Sequence, residues 1–321
     1  MTEMERRAFI KQAAGAGITA AALLGGAGFF YGRDTSKKGI GFTMPDFGVE
    51  PVDGKVISTV TGSERGAMLK MAMDMLGGIG RFIDKGDVVA IKPNVAFASP
   101  ATLGATTNPE MVYEMARLCF EAGAKEVLVF DNPINSPASC FIISGVTDAA
   151  HKAGAKVIVP AESMFSEMNL DGGALIKNWP VFTSPLKRAD KLIGLAPVKD
   201  HHRSGASMTM KNWYGLLGGR RNIFHQNING IISELAQFVK PTFVVLDGVV
   251  SMMRNGPTGG SFSDLKDTGR IIVSTDMVAA DTLGAGLLER EPSSLAYISM
   301  AQDSGVGIND FNKLGLLEGK V

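Results

Sequence analysis

Val88-Val89-Ala90-Ile91, followed at once by Lys92-Pro93-Asn94, is the stretch that decides the fold. A short unbroken apolar run bounded by polar residues fits a strand buried on both faces, as parallel sheets require. The proline closes the run and leaves a lysine and an asparagine at its carboxyl end. Outward from it, the same alternation repeats in both directions. Residues 55–60 read as a strand, and residues 65–82 as a helix with Met68, Leu69, Met75, Leu76 and Ile79 on helical spacing. A further helix begins after Pro109, carries Met111, Met115, Leu118, Cys119 and Ala122, and stops at Gly123.

Residues 127–130 form the next strand, 139–153 a helix and 156–159 a strand, before a less regular region marked by the Asp171-Gly172-Gly173 turn. Regularity returns with a strand at 192–196. The helix at 225–239 follows, with Ile228, Ile231, Ile232, Leu235, Phe238 and Val239 on one face. Strands at 242–246 and 270–273 and helices at 277–288 and 294–301 complete the chain. This rhythm predicts an α/β fold, a mostly parallel sheet with helices on both faces. A division into two lobes around a polar crevice would fall near residues 190–200. The sequence has no tandem repeat and no low-complexity linker.

The strands share a way of ending. Ile91 leads into Lys92-Pro93-Asn94, Phe130 into Asp131-Asn132-Pro133, and Ala196 into Pro197-Val198-Lys199-Asp200-His201-His202. Leu246 leads into Asp247-Gly248 and Ser274 into Thr275-Asp276. Carboxyl ends of parallel strands converge on one crevice, so these five ends are expected to line one pocket.

Composition narrows the function. The chain carries 32 basic and 32 acidic residues; residues 1–38 hold six basic and three acidic of these, leaving 26 against 29. That balance gives no electrostatic footprint for nucleic acid. Two cysteines, Cys119 and Cys140, cannot supply a four-thiolate iron–sulfur cluster or a zinc ribbon, and Cys119 reads as a buried free thiol on an apolar helix face. No phosphate-loop or dinucleotide glycine motif occurs.

The amino terminus reads Arg6-Arg7-Ala8-Phe9-Ile10-Lys11 before an uncharged run from Gln12 to Tyr31. Paired arginines, an aromatic residue and a lysine ahead of a weakly apolar stretch match a twin-arginine (Tat) export signal. Five glycines dilute the run, and no clean small-x-small cleavage site precedes Tyr31. Residues 1–38 are therefore expected to be a signal or uncleaved anchor for the Tat translocase, and the protein to reach the periplasm or the outer face of the cytoplasmic membrane. Membrane contact would be through that segment alone.

Several short motifs, in order, are similar to those of one bacterial and archaeal family. They are Ile91-Lys92-Pro93-Asn94, Ala105-Thr106-Thr107-Asn108-Pro109, Val129-Phe130-Asp131, Lys211-Asn212-Trp213-Tyr214-Gly215 and His225. Val245-Leu246-Asp247-Gly248, Asn255-Gly256-Pro257, Asp276-Met277-Val278-Ala279-Ala280-Asp281 and Asp303-Ser304-Gly305-Val306-Gly307 continue the pattern. From about residue 50 onward the chain resembles the family called domain of unknown function 362, which implies no single reaction. Some members of it carry a ferredoxin-like module with clustered cysteines, and this chain departs from them.

Lys199, His201, His202, Lys211 and His225 place three of the four histidines in one 27-residue window. Neutral imidazoles near carboxylates can bind a divalent metal, and a histidine beside lysines can act as acid or base. Adjacent His201 and His202 on a strand would point to opposite faces, so only one is expected in the pocket. An exposed polar loop is the plainer alternative. Lys92 either reaches an anionic oxygen or forms a salt bridge to Asp131 or Asp247. Thr106-Thr107-Asn108 before Pro109 offers a helix N-terminus suited to an anion. Asp276 reads best as a helix cap, whereas Arg220-Arg221 suits either a carboxylate clamp or a surface helix end. Asn255 to Gly260 is a loop for close backbone approach or a lid.

The expected site therefore has His201, His202, His225 and Asp247 in catalytic or metal-binding roles. Its ligand-binding residues are Lys92, Asn94, Thr106, Thr107, Asp131, Lys199, Lys211, Asn212 and Asp281. The function these imply is an exported α/β protein that binds a small anionic molecule, with a divalent metal as candidate cofactor. The alternative is a non-catalytic accessory subunit of a redox complex, exported with a protein partner.

Overall fold

The apolar runs become the strands of one sheet, and their lack of polar alternation has a direct cause. Val89 and Ile91 enter the core on one face of the sheet and Ala90 the core on the other; Ile193 and Leu195 are split in the same way from Leu192 and Ala196. Both faces are covered, so both must be apolar. The computed structural model describes residues 42–50, 53–310 and 313–321. The export segment expected over residues 1–38 lies outside the described residues.

In chain order the elements are β1 (Ile57–Thr61), α1 (Arg65–Met75), β2 (Val88–Lys92), α2 (Pro109–Glu121), β3 (Glu126–Phe130), α3 (Pro137–Ile143), α4 (Val146–Lys152) and β4 (Lys156–Ile158). A separate antiparallel hairpin follows, β5 (Phe165–Met168) with β6 (Trp179–Phe182). Then come β7 (Lys191–His201), β8 (Gly205–Ser207), α5 (Thr209–Asn212), α6 (Ile228–Phe238), β9 (Phe243–Met252), β10 (Leu265–Ser274), α7 (Met277–Leu287), α8 (Ala296–Asp303) and β11 (Leu317–Lys320). The main sheet runs β11-β1-β10-β9-β7-β2-β3-β4, with β8 added beside β7.

Strands β9, β7, β2, β3 and β4 are mutually parallel, while β10 runs antiparallel to both β9 and β1. The fold is thus α/β with a mostly parallel sheet. Helices α1 to α4 pack on one face around Met68, Met115 and Phe141; α6 to α8 pack on the other around Leu235, Ala279 and Tyr297. Each fully buried Leu, Ile or Phe contributes about 1.5–3 kcal/mol, so these two cores stabilise the sheet from both sides. Residues Phe42–Val321 form one compact unit, and the division envisaged near 190–200 falls inside β7, at the middle of the sheet.

The strands expected at 192–196, 242–246 and 270–273 run longer, as Lys191–His201, Phe243–Met252 and Leu265–Ser274, and three helices differ from expectation. The helix from Arg65 ends at Met75, and Ile79–Arg81 is a separate 3-10 turn after the Gly77-Gly78 pair. The helix expected at 139–153 is two helices, parted at Ser144-Gly145. The one expected from His225 starts at Ile228, where the Asn227 side chain accepts from the Gly230 amide, and Arg221–Asn227 is a 3-10 segment ahead of it. Among the described residues, no helix is long and apolar enough to cross a membrane.

The antiparallel β10 also corrects the pattern of strand ends. Ser274 pairs with Val244, near the start of β9, whereas Asp247 lies further along β9 opposite Ile271. Thr275-Asp276 therefore sits at the opposite end of the sheet from Lys92. Asp276 caps α7 by accepting from the Ala279 amide, and also accepts from Ile308.

Candidate functional site: a buried cationic chamber

At the carboxyl ends of β2 and β3 a lysine and an aspartate meet inside the protein. Lys92 Nζ lies 2.7 Å from Asp131 Oδ1, with side chains only 1% and 3% exposed. The ammonium also donates to the Pro93 carbonyl at 2.9 Å and to Asn212 Oδ1 at 3.1 Å, so all three of its N–H donors are used by protein. Asp131 in turn accepts from the amides of Val95 and Asn132. Burial holds the lysine below its usual value, and the carboxylate beside it opposes that shift. Of the two readings of Lys92, the structure shows the salt bridge to Asp131.

Two glycines make the approach of the surrounding backbone feasible. A Cβ at Gly215 would lie 2.0 Å from Asp131 Oδ1 and 2.8 Å from Lys92 Nζ, so only a bare Cα fits over the pair. At Gly256 a Cβ would lie 1.9 Å from the Asp200 carbonyl oxygen, and the Gly256 amide donates to Asp200 Oδ2 at 2.8 Å. The Asn255-Gly256-Pro257 loop is thus pinned against the end of β7 by close backbone approach.

Over the ion pair is a chamber of about 150 Å³. Lys92, Asn94, Asp131, Lys199, His201, His202, Lys211, Asn212 and His225 all line it, together with Phe97, Asn132, Tyr214, Arg221 and Pro257. It opens toward a wider hollow of about 750 Å³, with which it shares Asn132, Ile134, Tyr214, Arg221 and His225. Proline and aromatic side chains, among them Pro137, Pro160, Phe165 and Pro180, form much of the outer wall.

The chamber is rich in positive charge. Lys199 donates to the Ala105 carbonyl at 2.5 Å and sits 5.2 Å from the centre of the Phe97 ring. Lys211 lies 5.1 Å from the centre of the Tyr214 ring. Arg221 spends its terminal nitrogens on the carbonyls of Tyr214, Leu217, Asn132 and Pro133, clamping two loops together. Among the described residues, none of these three cations has a carboxylate within ion-pairing distance. Burial, then Lys211 and Lys92, pushes Lys199 down to about 7 against the pull of Asp131. Burial, then Arg221 and Lys92, pushes Lys211 down to about 8.

Both adjacent histidines enter the chamber, contrary to the strand rule. Strand β7 ends at His201 and the chain turns there, so the His201 and His202 rings stack with centroids 5.1 Å apart and planes 9° apart. The His225 ring lies near-parallel to that of His201, with centroids 6.3 Å apart. His201 Nδ1 accepts from the amides of Arg203 and Ser204, which places the proton of the neutral ring on Nε2. Burial and then Lys211 push His201 down to about 2, so it stays neutral. His202 and His225 each direct Nδ1 at a carbonyl, of Gly256 and Asn222 respectively.

Stacked rings do not aim lone pairs at a common point, and lysines rather than carboxylates surround them. Among the described residues, no group of three or more His, Cys, Asp or Glu is placed to hold a metal ion. The metal site expected of His201, His202 and His225 is therefore not shown by this arrangement. Cys119 and Cys140 are both buried and free, with burial raising both thiols.

Four expected site residues lie elsewhere. Asp247 accepts from Arg65 Nε at 2.9 Å in a neighbouring pocket that Thr106 also lines. Thr107 ties Asn94 to β7, accepting from the Asn94 amide and donating to the Leu195 carbonyl. Asp281 is buried beneath α5, accepting from the Thr209 and Met210 amides, and burial raises it to about 7. In the other direction, Phe97 and Tyr214 line the chamber although neither is among the expected site residues. Arg221 is half-buried and holds loop carbonyls, which fits neither a carboxylate clamp within the chain nor a free surface helix end.

The family model described as a domain of unknown function (DUF362) matches residues 89–286, the span that contains the whole chamber. The chain belongs to the DUF362 family. A thylakoid-associated protein of Synechocystis, sll1697, is 26% identical over 256 residues, which are 76% of this chain and 75% of that protein. A crystal structure of a Thermotoga maritima protein from a structural genomics programme overlaps 75% of this DUF362 chain at 12% identity and a TM-score of 0.34; this chain spans 59% of that protein's length.

The ion pair generates the first prediction. Asp131→Ala strands the Lys92 ammonium in the core and is expected to destabilise the fold by about 3–5 kcal/mol in urea denaturation. Adding Lys92→Met should recover much of that loss. Equal losses in the single and double variants would contradict a charge-pairing role.

Proposed function

We propose that this DUF362 protein binds a small anionic molecule in the chamber. The observation that carries the reading is the charge imbalance: Lys199, Lys211 and Arg221 face one enclosed space without a carboxylate partner among the described residues, while Lys92 and Asp131 neutralise each other. Uncompensated cations out of water are costly, and an anion entering the chamber removes that cost. The neutral His201 adds an Nε2–H donor, and Lys211 and Lys199 offer N–H donors of adjustable charge. The apolar outer hollow suits a substituent larger than the chamber itself.

The proposal includes export by the twin-arginine route, on the strength of Arg6-Arg7 and the weakly apolar run after them. A relative named for its association with thylakoids fits a protein that works at a membrane system. Catalysis is a separate matter from binding, and the binding step stands on the charges alone.

Calorimetric titration with phosphate, oxalate, lactate and pyruvate is expected to give saturable binding of at least one of them. Lys211→Met should weaken it roughly tenfold to a hundredfold, the equivalent of about 1.5–3 kcal/mol for hydrogen bonds to a charged group. Unchanged affinity in that variant would contradict the reading. For the export step, an Arg6→Lys/Arg7→Lys variant should remain in the cytoplasmic fraction, and normal export of that variant would remove this part.

A further inference from the structure

Lys199 differs from the other cations of the chamber in what holds it. Lys92 has no donor to spare, its amine being engaged by Asp131, Pro93 and Asn212. Lys211 lies against the Tyr214 ring at the more accessible side. The Lys199 amine is buried, faces the Phe97 ring and has one hydrogen bond, to the Ala105 carbonyl. A neutral amine can make that bond with one N–H and still present its lone pair. Burial and the neighbouring Lys211 and Lys92 charges favour the neutral form, the setting that turns a lysine into a nucleophile.

We infer that Lys199 forms an imine with the carbonyl carbon of a small 2-oxo acid whose carboxylate is held by Lys211 and His201. This rests on the anion-binding reading and names its ligand class. The chamber volume of about 150 Å³ corresponds to roughly five water-sized groups, near the size of a three-carbon oxo acid, with the outer hollow open to a longer side chain.

The step balances within the chamber. The Lys199 nitrogen lone pair forms the C–N bond while the C=O π pair moves to oxygen, and an amine proton passes to that oxygen to give a neutral carbinolamine. The Lys211 ammonium then gives one proton to the hydroxyl, which leaves as water. The nitrogen lone pair closes the C=N bond, so the product is a protonated imine and a neutral Lys211. No oxidant or reductant is required. The single positive charge is conserved, carried first by Lys211 and then by the imine nitrogen.

The test is borohydride trapping on the full chain incubated with pyruvate or phenylpyruvate, read by intact mass and peptide mapping. The expected result is one adduct per chain, heavier by one oxo acid less one oxygen and located on Lys199. Lys199→Arg should abolish the adduct while keeping the wild-type circular dichroism spectrum and melting behaviour; Lys199→Met serves if the arginine variant does not fold. Pyruvate and lactate bound by the wild-type protein without any adduct would overturn the imine and leave the anion reading standing. An adduct mapped to another lysine, or surviving in Lys199→Arg, would also overturn it. No binding of pyruvate, phenylpyruvate or lactate would remove the imine, and failure with phosphate and oxalate as well would remove the anion reading beneath it.

Discussion

The contact between Lys92 and Asp131 is the constraint on which the rest of the site depends. It joins the ends of two adjacent parallel strands, and its remaining bonds reach Pro93, Val95, Asn132 and Asn212. Asn212 belongs to the segment that crosses above the sheet, and its amide returns to the Lys92 and Leu195 carbonyls. Gly215 lets that segment close over the pair. A buried ion pair of this kind persists only when its leftover donors and acceptors are satisfied, and here they are. Its effect is to fix where the loops after β2, β3 and α5 must lie.

With one lysine neutralised, the remaining positive charge has a defined place. Lys199 arrives on β7, Lys211 on α5 and Arg221 on the 3-10 segment before α6, so three separate parts of the chain bring cations to one space. Arg221 uses its hydrogen bonds on loop carbonyls and contributes mainly its charge. The lysines are different, because burial has moved both toward neutral pH. They can take up or release a proton as the contents of the chamber change.

Much of the fold was legible because strands buried on both faces leave unbroken apolar runs, as at 88–91 and 127–130. Strand direction was not legible: nothing in Arg270 to Ser274 says that β10 runs against its neighbours, and that reversal removes Asp276 from the site. The site was legible where polar residues close or follow a short apolar strand, as for Lys92 and Asp131; Lys199 lies within β7, which continues past Ala196 to His201. It failed where a side chain's task is set by tertiary partners, since Asp247 is claimed by Arg65 and Asp281 by the amides of α5. His202 misled in the opposite sense, because a strand rule was applied one residue beyond the strand. Arg221 could be placed only by the loop carbonyls it holds, partners that an arginine pair does not display in sequence.

The central claim is that the chamber lacks an anion's charge, and proton linkage measures this most directly. Lys199 and Lys211 have folded values of about 7 and about 8, below the usual lysine value, so at pH 8 both are at least partly neutral. A bound anion raises both toward the ordinary value and must draw protons from solution. Oxalate binding measured calorimetrically at pH 8, in two buffers of different ionisation enthalpy, should therefore show net proton uptake that fades as the pH falls below about 7. Binding without proton uptake, or with proton release, would contradict the account.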